Sequence, residues 1–153
     1  MKNESSSLGS ERGFTLPEVL IVIAIMGILA AIAIPSWQAV VEGRQVDSAT
    51  NQIVSDLRLA NSKASNRLVV YQVKFTNGSS NYQFGSASSL TTRTLPDDVK
   101  ISTSLSTIEF KPDGSVTGVT GAANEIIVSK TSPAGNPKHG ISINPATSRV
   151  KVD

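Results

Sequence analysis

From Val19 to Ile34 the chain runs for sixteen residues without a charge or a hydrogen-bonding side chain. Counted from Phe14, the segment is 21 residues long. A helix rising about 1.5 Å per residue would carry it roughly 31 Å, the thickness of a bilayer's hydrocarbon core. A buried core helix of this kind would dominate a chain of 153 residues, so that reading is set aside. A secretory signal peptide is a second reading, with Ala30, Ala31 and Ala33 imitating a cleavage site. It calls for an apolar stretch of about 7–15 residues behind a basic one. Here Lys2, Glu4, Glu11 and Arg12 sum to zero charge. A plain single-pass anchor is the third reading.

Two features fit none of these. The first is Glu18, at the leading edge of the apolar run. A carboxylate in lipid costs roughly 2.5–3.5 kcal/mol at a helix centre and less near its end, and it calls for a cationic partner. The second is that the chain continues past Pro35 in a helical pattern. Val46, Ala49, Ile53, Leu57, Ala60 and Ala64 recur at spacings of 3 and 4, one face of an amphipathic helix. Arg44, Gln45, Asp47, Ser48, Asn51, Gln52, Ser55, Asp56, Arg58, Asn61, Ser62 and Lys63 are expected on its solvent side. Together the two stretches predict one helix ending near Asn66 or Arg67, with Gly43 a candidate bend.

Pro17 suits a helix that starts at or just before Phe14, because the first four N–H groups of a helix have no intrahelical acceptor. Pro35 lies deep inside the pattern and, with Gly27, marks a place where the helix can kink or loosen. Trp37 reads as an interfacial anchor.

The sequence Gly13-Phe14-Thr15-Leu16-Pro17-Glu18, followed by the apolar run to Pro35, resembles the class III signal of type IV pilins and pseudopilins. The resemblance implies cleavage between Gly13 and Phe14 by a prepilin peptidase on the cytoplasmic side, and N-methylation of Phe14. It implies that Glu18 pairs with the Phe14 amine of a neighbouring subunit during assembly. The implied partners are other pilin or pseudopilin subunits, the peptidase, an inner-membrane assembly platform and the lipid bilayer. The implied location is the inner membrane, crossed once with the C-terminal part outside the cytoplasm, and then a filament. The expected organisation is a leader at 1–13, a transmembrane and assembly helix at 14–35, an amphipathic helix at 36–67 and a β-sheet domain at 68–153.

The second half is rich in Ser, Thr, Asn and Gly, and its short apolar runs are β-like. Strands are expected at Leu68–Phe75, with Asn77-Gly78 as a tight turn, and at Asn81–Phe84, Arg93–Leu95 and Val99–Ser102. Others are expected at Thr107–Lys111, Ser115–Val119, Glu125–Ser129, Gly140–Ile143 and Arg149–Val152. Pro112-Asp113-Gly114 reads as a turn and Pro133–Pro137 as a loop. The fold class is therefore α+β, a long N-terminal helix packed on a small C-terminal β-sheet domain. Ser55-Asp-Leu-Arg58, Ile108-Glu-Phe110-Lys-Pro-Asp-Gly114 and Arg149-Val-Lys151-Val are similar to the GspH/FimT-like branch. That branch comprises minor pilins and pseudopilins with two small sheets.

With no cysteine, a disulfide framework and thiolate metal sites are excluded. His139, the one histidine, sits in a loop-like stretch and reads as solvated. Asp97-Asp98 reads as turn polarity rather than a metal pair, and Asn77-Gly-Ser-Ser80 lacks a P-loop lysine. No enzyme activity and no cofactor are expected. A net charge of +2 does not imply nucleic-acid binding by itself. Arg149 and Lys151, two apart on a strand, share a face, and Lys138 precedes them. In some FimT-like proteins a terminal Gly-Arg-x-Arg segment binds DNA for uptake in natural transformation. Here Ser148-Arg149-Val150-Lys151 stands in its place, and a solvated, charge-protected edge strand is the competing reading. The expected function is a minor type IV pilin or a type II secretion pseudopilin, with a DNA-binding minor pilin as the alternative.

Overall fold

The computed structural model describes residues 13–96, 98–119, 124–132 and 135–153. The chain is α+β: a long helix α1 (Leu16–Arg67) followed by nine strands among the described residues. It divides into two compact units, one ending at Ser36 and the other spanning Trp37–Asp153.

The helix opens at Thr15, whose carbonyl accepts the N–H groups of Glu18 (3.0 Å) and Val19 (3.2 Å). Pro17 is thus its second residue, where a missing N–H costs no helical bond. The start falls two residues later than expected, because Pro17 has no N–H to offer the Gly13 carbonyl. From there α1 continues through Gly27, Pro35 and Gly43 to Arg67.

In the second unit all six residues of the predicted face are fully buried. They meet two antiparallel sheets. The five-stranded sheet has the order β3-β2-β1-β5-β6, built from β1 (Tyr71–Phe75), β2 (Asn81–Ser86), β3 (Ser89–Thr94), β5 (Thr107–Phe110) and β6 (Val116–Thr117). The four-stranded sheet has the order β4-β7-β8-β9, from β4 (Val99–Thr103), β7 (Glu125–Lys130), β8 (Lys138–Asn144) and β9 (Arg149–Val152). Alternation supplies the inner faces: Tyr71, Val73, Phe75, Tyr82, Phe84, Ile108 and Phe110 from one sheet, and Val99, Ile101, Ile126, Val128, Ile141 and Ile143 from the other. Both join the helical stripe in one core.

Polar contacts show which part of α1 meets which sheet. Glu42, Gln45 and Asp47 bond to Ser132, Lys130 and His139, beside or within the four-stranded sheet. Gln52 and Asp56 bond to Thr94, Tyr82 and Arg93 of the five-stranded one.

Several local expectations need correction. Asp56 is not on the solvent side but buried, holding the Tyr82 hydroxyl at 2.8 Å and Arg93 Nε at 3.3 Å through Oδ2. His139 is in β8, not a loop, with Nε2 2.7 Å from Asp47 Oδ1. β1 begins at Tyr71 rather than Leu68, because the helix runs to Arg67 and Leu68 turns the chain with a φ of 53°. Asn77-Gly78 is not a two-residue turn, since residues 76–80 lie between β1 and β2. That connection bonds sideways to β4: Gly78 N–H to the Ile101 carbonyl (2.7 Å) and Ile101 N–H to the Ser79 carbonyl (2.9 Å). β3 begins four residues before the expected Arg93, as a hairpin arm of β2. β6 keeps only two residues of the Ser115–Val119 run. Asp97 and part of the Pro133–Pro137 loop lie outside the described residues.

Leu68 occupies the position after the helix where glycine is favoured, because a Cβ there crowds the following carbonyl. Its side chain is 77% exposed, so truncation loses little burial. Leu68→Gly is expected to stabilise the domain by about 1 kcal/mol, read as a higher midpoint in thermal or urea unfolding.

Burial, and then the hydrogen bond to Asp56, push the Tyr82 hydroxyl far above its ordinary pKa. The folded state therefore holds this proton more tightly than the unfolded chain does. Stability from this source is complete below about pH 10 and falls as pH rises beyond it. Tyr82→Phe leaves Asp56 short of a donor, should cost about 1–3 kcal/mol at neutral pH, and should flatten the alkaline fall. Unfolding curves between pH 7 and 11 test both.

Candidate functional site

The first unit presents its chemistry on a single helix. Gly13 is exposed, and a Cβ added there would meet no atom within 4 Å, so this peptide bond stands open. Phe14 is 82% exposed. Glu18 lies in the first turn of α1, where a carboxylate complements the partial positive charge of the helix N-terminus. The apolar side chains that follow, among them Val19, Ile23, Met26, Leu29 and Ile34, are all exposed. The helix is long and apolar enough to cross a membrane, with none of its most apolar stretch buried. An uncovered apolar surface of this length has to be covered by lipid or by other helices.

The second unit carries the basic residues singled out above. Ile141 and Ile143 of β8 point into the core, so Lys138, Gly140, Ser142 and Asn144 face out. In the β8–β9 register Ser142 stands opposite Lys151 and Asn144 opposite Arg149. Lys138, Arg149 and Lys151 therefore share the outer face of the four-stranded sheet. A cleft of about 640 Å³ opens there, lined by Ser142, Asn144, Thr147, Arg149 and Lys151 among others. Lys151 is paired with Asp153 at 2.5 Å, a bond that raises the lysine's pKa. Ser148 has a φ of 54°, the left-handed region that favours glycine, and its hydroxyl donates to the Gly114 carbonyl at 2.6 Å. The glycine of the related terminal motif thus corresponds to a backbone demand that this chain meets with serine. Among the described residues no group of three or more His, Asp or Glu side chains could hold a metal.

A membrane-length apolar helix that runs on into the core of a two-sheet domain defines an anchored helix-plus-sheet protein built to pack its helix against others. The comparisons agree at the N-terminus. The family described as the prokaryotic N-terminal methylation motif matches residues 8–34. A fimbrial protein of Moraxella nonliquefaciens is 52% identical over 42 residues, 28% of this chain and 27% of that protein. Fimbrial protein EcpC of Eikenella corrodens is 56% identical over 41 residues, 27% of each. A type IV major alpha-pilin of Moraxella bovis is 42% identical over 48 residues, 31% of this chain and 30% of that one. The chain thus spans under a third of the length of these relatives. No solved structure matches it. On its N-terminal segment the chain belongs to the type IV pilin family.

Proposed function

We propose that this chain is a minor pilin or pseudopilin, a structural subunit that acts by association and not by catalysis. The observation that carries the reading is the fully exposed apolar helix introduced by Gly13-Phe14 and Glu18. In this reading residues 1–13 are a leader, 14–35 anchor the subunit in the membrane and later in a filament core, 36–67 brace the domain, and 68–153 face outward. A prepilin peptidase cuts between Gly13 and Phe14, leaving 140 of the 153 residues, and Phe14 is methylated. The inner-membrane assembly platform then receives the processed subunit. Glu18 takes the amine of a neighbour's Phe14, since a carboxylate held away from water needs a cation. Gly27 and Pro35 let the helix loosen where neighbouring helices can shield the freed backbone.

N-terminal mass analysis is expected to find mature protein starting at Phe14; a start near Ala31 or Ala33 would mean an ordinary signal peptide. Glu18→Ala should insert in the membrane at least as well as the parent chain, having lost a costly group. It should be depleted from purified filaments, because the neighbouring amine is left without its counter-ion. Wild-type abundance of Glu18→Ala in filaments would count against the pairing.

The second reading, a DNA-binding minor pilin serving transformation, is favoured by one observation: Lys138, Arg149 and Lys151 share one outward face beside a cleft. Lysine contacts phosphate as a point charge, without the planar fork of arginine. In a mobility-shift titration of the chain from Trp37 onward, replacing Arg149 and Lys151 by alanine should weaken binding alike for all sequences. It should also lower the slope of log affinity against log salt by about 2. An unchanged slope would leave only the solvated edge strand.

A further inference from the structure

The two sheets leave four edges, and three of them are closed. β6 is two residues long. β4 is sealed at Ile101 by the turn between β1 and β2, with Gly78 N–H donating to its carbonyl and its own N–H donating to Ser79. β9 is four residues long and projects Arg149 and Lys151, a charged edge of the kind that discourages pairing. β3 is different. It is six residues long, contains neither proline nor lysine, and pairs with β2 in unbroken register from Ser89 to Thr94.

The hairpin geometry fixes which of its backbone groups are unspent. Only Ala87 and Ser88 separate the closing pair, Ser86 and Ser89, so that pair exchanges hydrogen bonds. Bonded pairs alternate along an antiparallel ladder. Ser89, Thr91 and Arg93 therefore bond to β2, while Leu90, Thr92 and Thr94 turn their N–H and C=O groups outward. Of these, the Thr94 carbonyl accepts a long 3.4 Å bond from Gln52. The strand is almost wholly solvent-exposed. Its one charge, on Arg93, is drawn to Asp56 on the inner side, leaving an edge of threonines that repels neither sign.

We propose that β3 is a strand-addition site, occupied in the assembled filament by an extended segment of a neighbouring subunit. This rests on the filament reading above. A second β3 is the obvious rival occupant, and antiparallel pairing about Thr92 would satisfy the same groups without opposing two arginines. Its two-fold axis would stand perpendicular to the sheet and turn the two copies of α1's packed half antiparallel. Subunits of one filament share a direction, so the occupant is a non-equivalent strand in a heterologous contact.

Residue-resolved amide hydrogen exchange on the full chain, first alone in detergent and then within filaments, tests the proposal. Alone, the Leu90, Thr92 and Thr94 amides should exchange freely while Thr91 and Arg93 are protected. In filaments the three outward amides should slow by about 100-fold or more. Thr92→Pro removes one outward N–H and no bond to β2, and edge strands tolerate proline. It should lower the chain's share in filaments several-fold while Thr92→Ala does not. Outward amides that stay unprotected in filaments overturn the proposal. So does protection that appears in the isolated chain together with a dimeric mass, which would assign the edge to self-pairing. Absence of the chain from filaments would overturn the filament reading, and this proposal with it.

Discussion

Both sheets close on one stripe of one helix, and the domain depends on that stripe more than on any strand pairing. Val46, Ala49, Ile53, Leu57, Ala60 and Ala64 are fully buried. Three of the six are alanine, which lets a sheet approach the helix backbone closely, while Ile53 and Leu57 fill the space between the layers. The sheets share no strand. Their common cover is the amphipathic half of α1, helped by the turn that bonds Gly78 and Ser79 to Ile101. Opening either sheet would expose half of the core, so helix and sheets are expected to unfold together.

Polar ties set the register of that contact. Apolar burial is non-directional and would tolerate a shift of the helix along the sheets. Asp56 with Tyr82 and Arg93 fixes the helix against the five-stranded sheet. Asp47 with His139, Gln45 with Lys130, and Glu42 with Ser132 fix it against the other side of the domain. Three of these four ties lie in the stretch Glu42–Asp47. They hold the part of the helix nearest Trp37 to the domain, and that serves any role in which the preceding segment bears a load.

The apolar helix and the domain solve different physical problems. The domain buries its own core. The segment before Trp37 buries nothing, and all its large side chains are exposed. A segment of that kind is incomplete as a monomer. Its cover is lipid before assembly and other helices after it, which is why its information lies in one carboxylate and one peptide bond and not in packing.

The sequence by itself determined the elements whose signal is local. The apolar run, the junction at Gly13-Phe14, Glu18, the buried stripe from Val46 to Ala64 and most of the strands could be read from period and residue type. So could the shared face of Arg149 and Lys151, which needs only strand alternation. What the tertiary structure alone decided was where partners come from distant parts of the chain. Asp56 looks like a solvent-side helix residue until Tyr82 and Arg93, more than two dozen residues away, are brought to it. His139 looks like loop until Asp47 gives it a partner. Asn77-Gly78 looks like a tight hairpin until β4 takes the bonds of the turn. The division of strands between two sheets, and with it the one open edge at β3, follows from which strands can pack on a single helical stripe at once. That is a property of the assembled core, and no stretch of sequence encodes it alone.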